Sequence, residues 1–207
     1  DHAAVRRPRN AAGLDSAGNW LWAEKTNGAK SENLLKLGLA KDGAFIIAGS
    51  STGNLVLGGA NIGSKPDGAG NVIFISRLSA DGTWNWGSRL QQLSTDCFRK
   101  CFDTDAAGNT WFADNYYGNP IPNPIYDGAL SVNSSLSLVD SQGRKLWTHS
   151  LEGTDVSIDW ISSGRQKDLF MAGTFSGSLS LDSHKLSAGG HKAQFYARFD
   201  ADGKCLW

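Results

Sequence analysis

Indole and phenol rings are the groups of this chain best suited to recognition, because an exposed aromatic ring stacks on a sugar or a base. The sequence has eight tryptophans in 207 residues. Trp22, Trp86, Trp147 and Trp207 each end a five-residue phrase that opens with glycine: Gly18, Gly82, Gly143 and Gly203. Two residues earlier the phrase varies and reads Trp20, Trp84, Lys145 and Cys205. Residues two apart in a strand share a face, so Trp20 is expected beside Trp22 and Trp84 beside Trp86. The repeated position is expected to anchor a sheet core and the varying one to tolerate exposure, which makes Trp20 and Trp84 candidate ligand contacts. A second candidate is Asn115–Asp127, where Tyr116, Tyr117 and Tyr126 flank Pro120, Pro122 and Pro124. Alternating prolines cannot donate to a sheet ladder. This segment reads either as a rigid binding surface or as a replacement strand packed on its sheet.

Metal and acid–base chemistry have weaker support. His149, His184 and His191 are scattered, so no metal site is assigned to them. Asp103-Thr104-Asp105-Ala106-Ala107-Gly108-Asn109 imitates the start of a calcium loop, with carboxylates at alternate positions before a glycine, but lacks the distal glutamate. Turn chemistry explains the same residues, and Asp67-Gly68-Ala69-Gly70-Asn71 is a fainter version. Carboxylate pairs such as Asp155 with Asp159 occur, yet no nucleophile elbow, zinc-helix motif or phosphate-cradling loop accompanies them. No catalytic residue is therefore assigned. Cys97, Cys101 and Cys205 are an odd number. In an extended segment Cys97 and Cys101 would lie roughly 13 Å apart, so a bridge between them needs a bend; free or buried thiols are the alternative.

These side chains are held by something periodic. The steps between the closing tryptophans are 64, 61 and 60 residues, the mark of one supersecondary unit used repeatedly. Each phrase follows a four-residue turn ending in glycine, such as Asp15-Ser16-Ala17-Gly18 or Ser79-Ala80-Asp81-Gly82. The strand before the turn alternates, as in Phe195, Ala197 and Phe199 against Tyr196 and Arg198. Ala48–Leu57 matches Ala172–Leu181, with a weaker copy at Ala113–Asn119. The first unit reads as strands at Gly18–Trp22, Leu34–Ala40, Ala44–Ser50, Asn54–Gly58 and Val72–Leu78. The reading is all-β: about three four-stranded antiparallel units (18–81, 82–142, 143–202) and the start of a fourth (203–207). Residues 1–14 are expected to be a flexible segment or linker, and 15–207 one domain.

The run Asp168–Leu179, followed by Gly189-Gly190 and Gln194–Trp207, resembles the bacterial β-propeller repeat of exported and cell-surface proteins. The resemblance covers nearly the whole chain and implies a propeller-type array of blades. It implies a non-catalytic binding or structural module for protein–protein assembly or adhesion, secreted, periplasmic or at the cell surface. Lectin-like carbohydrate binding through Trp20, Trp84, Tyr116, Tyr117 and Tyr126 is an alternative, and a polysaccharide-active enzyme with carboxylates in a central channel a weaker one. Three blades do not close a ring, since propellers typically hold four to eight, so a second chain or a missing portion is expected to complete it. Twenty basic and twenty acidic residues cancel, which removes the term that dominates nucleic-acid binding. No run approaches the roughly 20 apolar residues that a membrane-spanning helix needs.

Overall fold

The computed structural model describes residues 10–26, 32–63, 72–90, 101–117, 132–164 and 167–207. The chain is all-β, with several antiparallel sheets, one of them a half-barrel. It divides into two compact units, 1–91 and 92–207.

The first unit begins with the hairpin β1 (Asn10–Leu14) and β2 (Trp20–Lys25). Asn10–Leu14 was expected in the linker. It is instead ladder-paired to the first tryptophan strand, because small and apolar residues before an Asp-x-x-Gly turn meet the demands of a hairpin. A four-stranded meander follows: β3 (Glu32–Leu39), β4 (Phe45–Ser51), then β7 (Val72–Leu78) and β8 (Trp84–Leu90), in that spatial order. Asn54–Gly58 is not a further strand of this sheet. It holds β5 (Val56–Leu57), which among the described strands pairs only with β6 (Ala60–Asn61), across Gly58 and Gly59. This small hairpin packs on β8: a Cβ at Gly87 would lie 2.8 Å from the Leu57 side chain. The core of the unit joins Ile47, Leu55, Leu57, Ile62, Phe74 and Leu78.

The second unit is one six-stranded sheet in the order β14-β13-β12-β11-β10-β9. Its strands are β9 (Phe102–Thr104), β10 (Thr110–Tyr117), β11 (Val132–Val139), β12 (Lys145–Ser163), β13 (Leu169–Leu181) and β14 (His184–Phe199). β12 is two strands in one. Its first part pairs with β11 as far as Leu151, and from Glu152 onward it pairs with β13. Three register shifts and Asp155 at φ 49° bend it there. Asn115 locks the bend. Its Oδ1 accepts from the Ile158 N–H at 2.9 Å and its Nδ2 donates to Ile158 O at 2.8 Å, so the turned strand is held on both sides.

Two devices recur. The first is a turn in which N–H groups of the first and fourth residues meet carbonyls of the fifth and first. It occurs at Asp15, Ala40, Ser79, Asp105, Asp140 and Asp200. The fourth residue is always glycine, at φ from 81° to 89°, where a Cβ would be strained. The second is a bulge at each tryptophan strand. Trp20 lies opposite Leu14 and Trp22 opposite Gly13, which leaves Leu21 as the extra residue. Trp84 and Trp86 repeat this against Leu78 and Arg77, and Lys145 and Trp147 against Val139 and Leu138. Simple alternation is thus broken between the two positions of each phrase, which corrects the expectation that Trp20 and Trp22 share a face. Gly49 and Gly173 match in three dimensions as in sequence: a Cβ there would come within 2.5 Å of the Phe74 ring and 2.6 Å of the Phe195 ring.

Candidate functional site

Two of the closing tryptophans, Trp22 and Trp147, pack against the cores of their units and also act as clasps. The Trp22 indole donates its N–H to Ala80 O, in the turn of the next phrase, at 2.7 Å. Trp147 does the same to Ala201 O at 3.0 Å. Each indole lies on the glycine of that turn. A Cβ at Gly82 would be 2.7 Å from the Trp22 ring, and one at Gly203 would be 3.0 Å from Trp147 and 2.5 Å from its neighbour His149. Gly82 and Gly203 are buried accordingly, whereas a Cβ at Gly18 would meet nothing within 4 Å. Trp22, Trp86 and Trp147 are half-buried. Trp207 is 52% exposed and so is not a core residue.

Trp207 belongs to a face that sequence reasoning missed. Trp160 lies opposite Ala172 and Ala172 opposite Tyr196; Phe170 lies opposite Arg198, whose backbone pairs with Trp207. Directly opposed residues share a face, and the Phe170 and Trp207 rings are 6.3 Å apart. Arg198 sits 5.6 Å over the Phe170 ring and pairs with Asp168 at 2.7 Å, so the face carries little free charge. Trp160 is 50% exposed, Tyr196 66% and Phe170 37%. The internal match assigns Phe170 to Ile46, Ala172 to Ala48 and Tyr196 to Ile75, all three fully buried in the first unit. Inside the second unit the corresponding face of β10 and β11 (Trp111, Ala113, Leu136, Leu138) is buried in the core with Leu169, Met171, Phe195 and Phe199. The available signal was the swap of aliphatic for aromatic residues at matched positions.

A cavity of about 220 Å³ occupies the first unit, between the β1–β2 hairpin and the meander. Ala11, Trp22, Phe45, Ile47, Phe74 and Leu78 are among its apolar walls, and Trp84 and Glu32 also line it. Glu32 accepts a hydrogen bond from the Thr26 hydroxyl at 2.8 Å on Oε2, while its buried Oε1 and the buried Trp84 indole N–H have no hydrogen-bond partner among the described residues. Such orphans are few in folded proteins.

The predicted site residues therefore do not converge. Trp84 lines the cavity; Trp20 is 72% exposed, on the hairpin. Tyr116 and Tyr117 end β10, opposite Asn133 and Val132 of β11; Tyr126, Cys97 and 64–71 lie outside the described residues. Asp105 accepts from the N–H of Ala107 and Asn109 and from the Asn109 amide, the pattern Asp15 repeats with Asn19. Asp103 turns to the Ser163 N–H at 2.6 Å, so these two carboxylates serve different partners. Among the described residues no three His, Cys, Asp or Glu side chains cluster as a metal site would require. Cys205 is a buried thiol, raised above its ordinary pKa by burial and then by Asp182. Comparison with protein-family models and with curated proteins returns no match.

Proposed function

We propose that this chain is a non-catalytic, propeller-type repeat module of an exported or surface-associated bacterial protein, working by presenting a sheet face to a protein partner. The observation that carries this reading is the Trp160, Phe170, Tyr196 and Trp207 face, which is open where both earlier copies are buried. Exposed apolar patches of this kind mark interaction surfaces. The partner best matched to it is the reverse face of another unit of the same repeat, because that is what covers Trp111 and Ala113 within the second unit. Sedimentation analysis of the wild type and of Phe170→Glu/Tyr196→Glu tests this. The wild type should exceed the 22.1 kDa monomer mass at high concentration, and the double variant should remain monomeric and folded. A wild type that stays monomeric throughout counts against it.

One feature of the same face favours a second reading, carbohydrate binding. Its aromatic rings are exposed on one sheet face with little unpaired charge, as stacking on sugar rings needs. A glycan array with Tyr196→Ala and Trp84→Ala distinguishes the two, since loss in Tyr196→Ala alone assigns the sugar to this face.

A further inference from the structure

The cavity of the first unit is the place that a strand occupies in the second. β1 and β11 are counterparts: each leads through an Asp-x-x-Gly turn into a tryptophan strand with the same bulged register. The far edge of β11 is paired with β10, which carries Trp111 and Ala113 into the same core as Leu169, Met171, Phe195 and Phe199. By the internal match those four residues correspond to Phe45, Ile47, Phe74 and Leu78, which are walls of the cavity. Among the described strands, β1 pairs only with β2. Leu34 and Leu37 line the cavity while remaining 53% and 50% exposed.

Resting on the repeat reading above, we infer that the cavity and the outer edge of β1 form an acceptor site for an extended peptide strand with a large apolar residue two positions before an alanine. The chemistry is that of the chain's own Trp111-Phe112-Ala113 and Phe170-Met171-Ala172. Main-chain hydrogen bonds to β1 supply affinity, and the large side chain entering between Trp22 and Ile47 supplies selectivity. Period-two geometry adds a further requirement: the large residue and the alanine face the cavity, and the residue between them does not.

The test uses the full chain and a synthetic peptide of sequence Asp168–Ser176, read by calorimetry, with amide exchange at Asn10–Leu14. The wild type should bind the peptide and gain exchange protection in β1. Leu37→Glu, at an exposed position that leaves the core intact, should weaken binding at least tenfold with an unchanged circular dichroism spectrum. In the peptide, Phe170→Asp should weaken it at least tenfold and Met171→Asp less than threefold. Absence of binding, insensitivity to Leu37→Glu, or equal sensitivity to both peptide changes would each overturn the inference. Phe170→Glu/Tyr196→Glu in the protein tests the other face and should leave peptide binding intact, so the two proposals fail separately.

Discussion

A single indole N–H separates two tryptophans that the sequence makes look alike. Trp147 spends its N–H on Ala201 O and its ring on Gly203, whereas Trp207 is largely open. Trp147→Phe removes one hydrogen bond and leaves a half-buried carbonyl, so it should cost about 1 kcal/mol. Trp207→Phe should change stability by less than about 0.5 kcal/mol. Urea unfolding of both variants checks the difference. Glycine gives a matched experiment. Gly18 and Gly82 share a left-handed backbone, φ 86° and 89°, so alanine at either costs roughly 1 kcal/mol through conformation alone. Only at Gly82 does the new methyl meet the Trp22 ring, which should add roughly 1–3 kcal/mol of overpacking. Equal losses in Gly18→Ala and Gly82→Ala would mean that the clasp is not close-packed in solution.

Among the elements, the turns hold the acid sensitivity. Asp15 is held below its ordinary pKa chiefly by the Asn19 side-chain hydrogen bond, and Asp81 chiefly by the Ser79 hydroxyl. At Asp140 burial pushes upward, but hydrogen bonds from the Arg144 backbone and side chain and from the Gln142 N–H together outweigh it. Each of these carboxylates is easier to ionise folded than unfolded. Their contribution is therefore complete above the unfolded value of 3.8 and is lost as pH falls through the lower folded values. The urea midpoint should fall as pH drops below about 4, and Asp15→Asn/Asp81→Asn/Asp140→Asn should flatten that fall; a triple variant with an unchanged acid limb would remove the turns as its source. The turns were legible in the sequence because Asp and Gly act on their own backbone, within five residues. The Gly49 and Gly173 match was legible as a recurring string, and the alternation of Phe195, Ala197 and Phe199 as a buried face. The bulge between Trp20 and Trp22 was not, since it depends on what Gly13 and Leu14 do across the ladder. Nor was the fusion of two strands in β12, whose bend rests on Asn115, remote in sequence. The cavity and the open aromatic face were hidden for a related reason: matched residues are buried or exposed according to the strand laid over them.

At the scale of the molecule, the two units differ in what their described core residues surround. The core of the first centres on Leu55, Leu57, Phe74 and Leu78 and includes the wall of a cavity. That of the second runs unbroken from Trp111 through Ile158, Met171 and Phe195 to Cys205. Apolar burial is the main favourable term in folding, at about 25 cal/mol per Å², and local opening follows the thinnest part of a core. Amides of β3, where Leu34, Leu37 and Leu39 are each half or more exposed, should therefore exchange faster than those of β11 and β13 under native conditions. The peptide strand argued for above should slow exchange in the first unit and leave the second unchanged, because the ligand stabilises only the state that binds it. One common protection level across both units, with or without peptide, would instead mean that the chain opens as a single cooperative body.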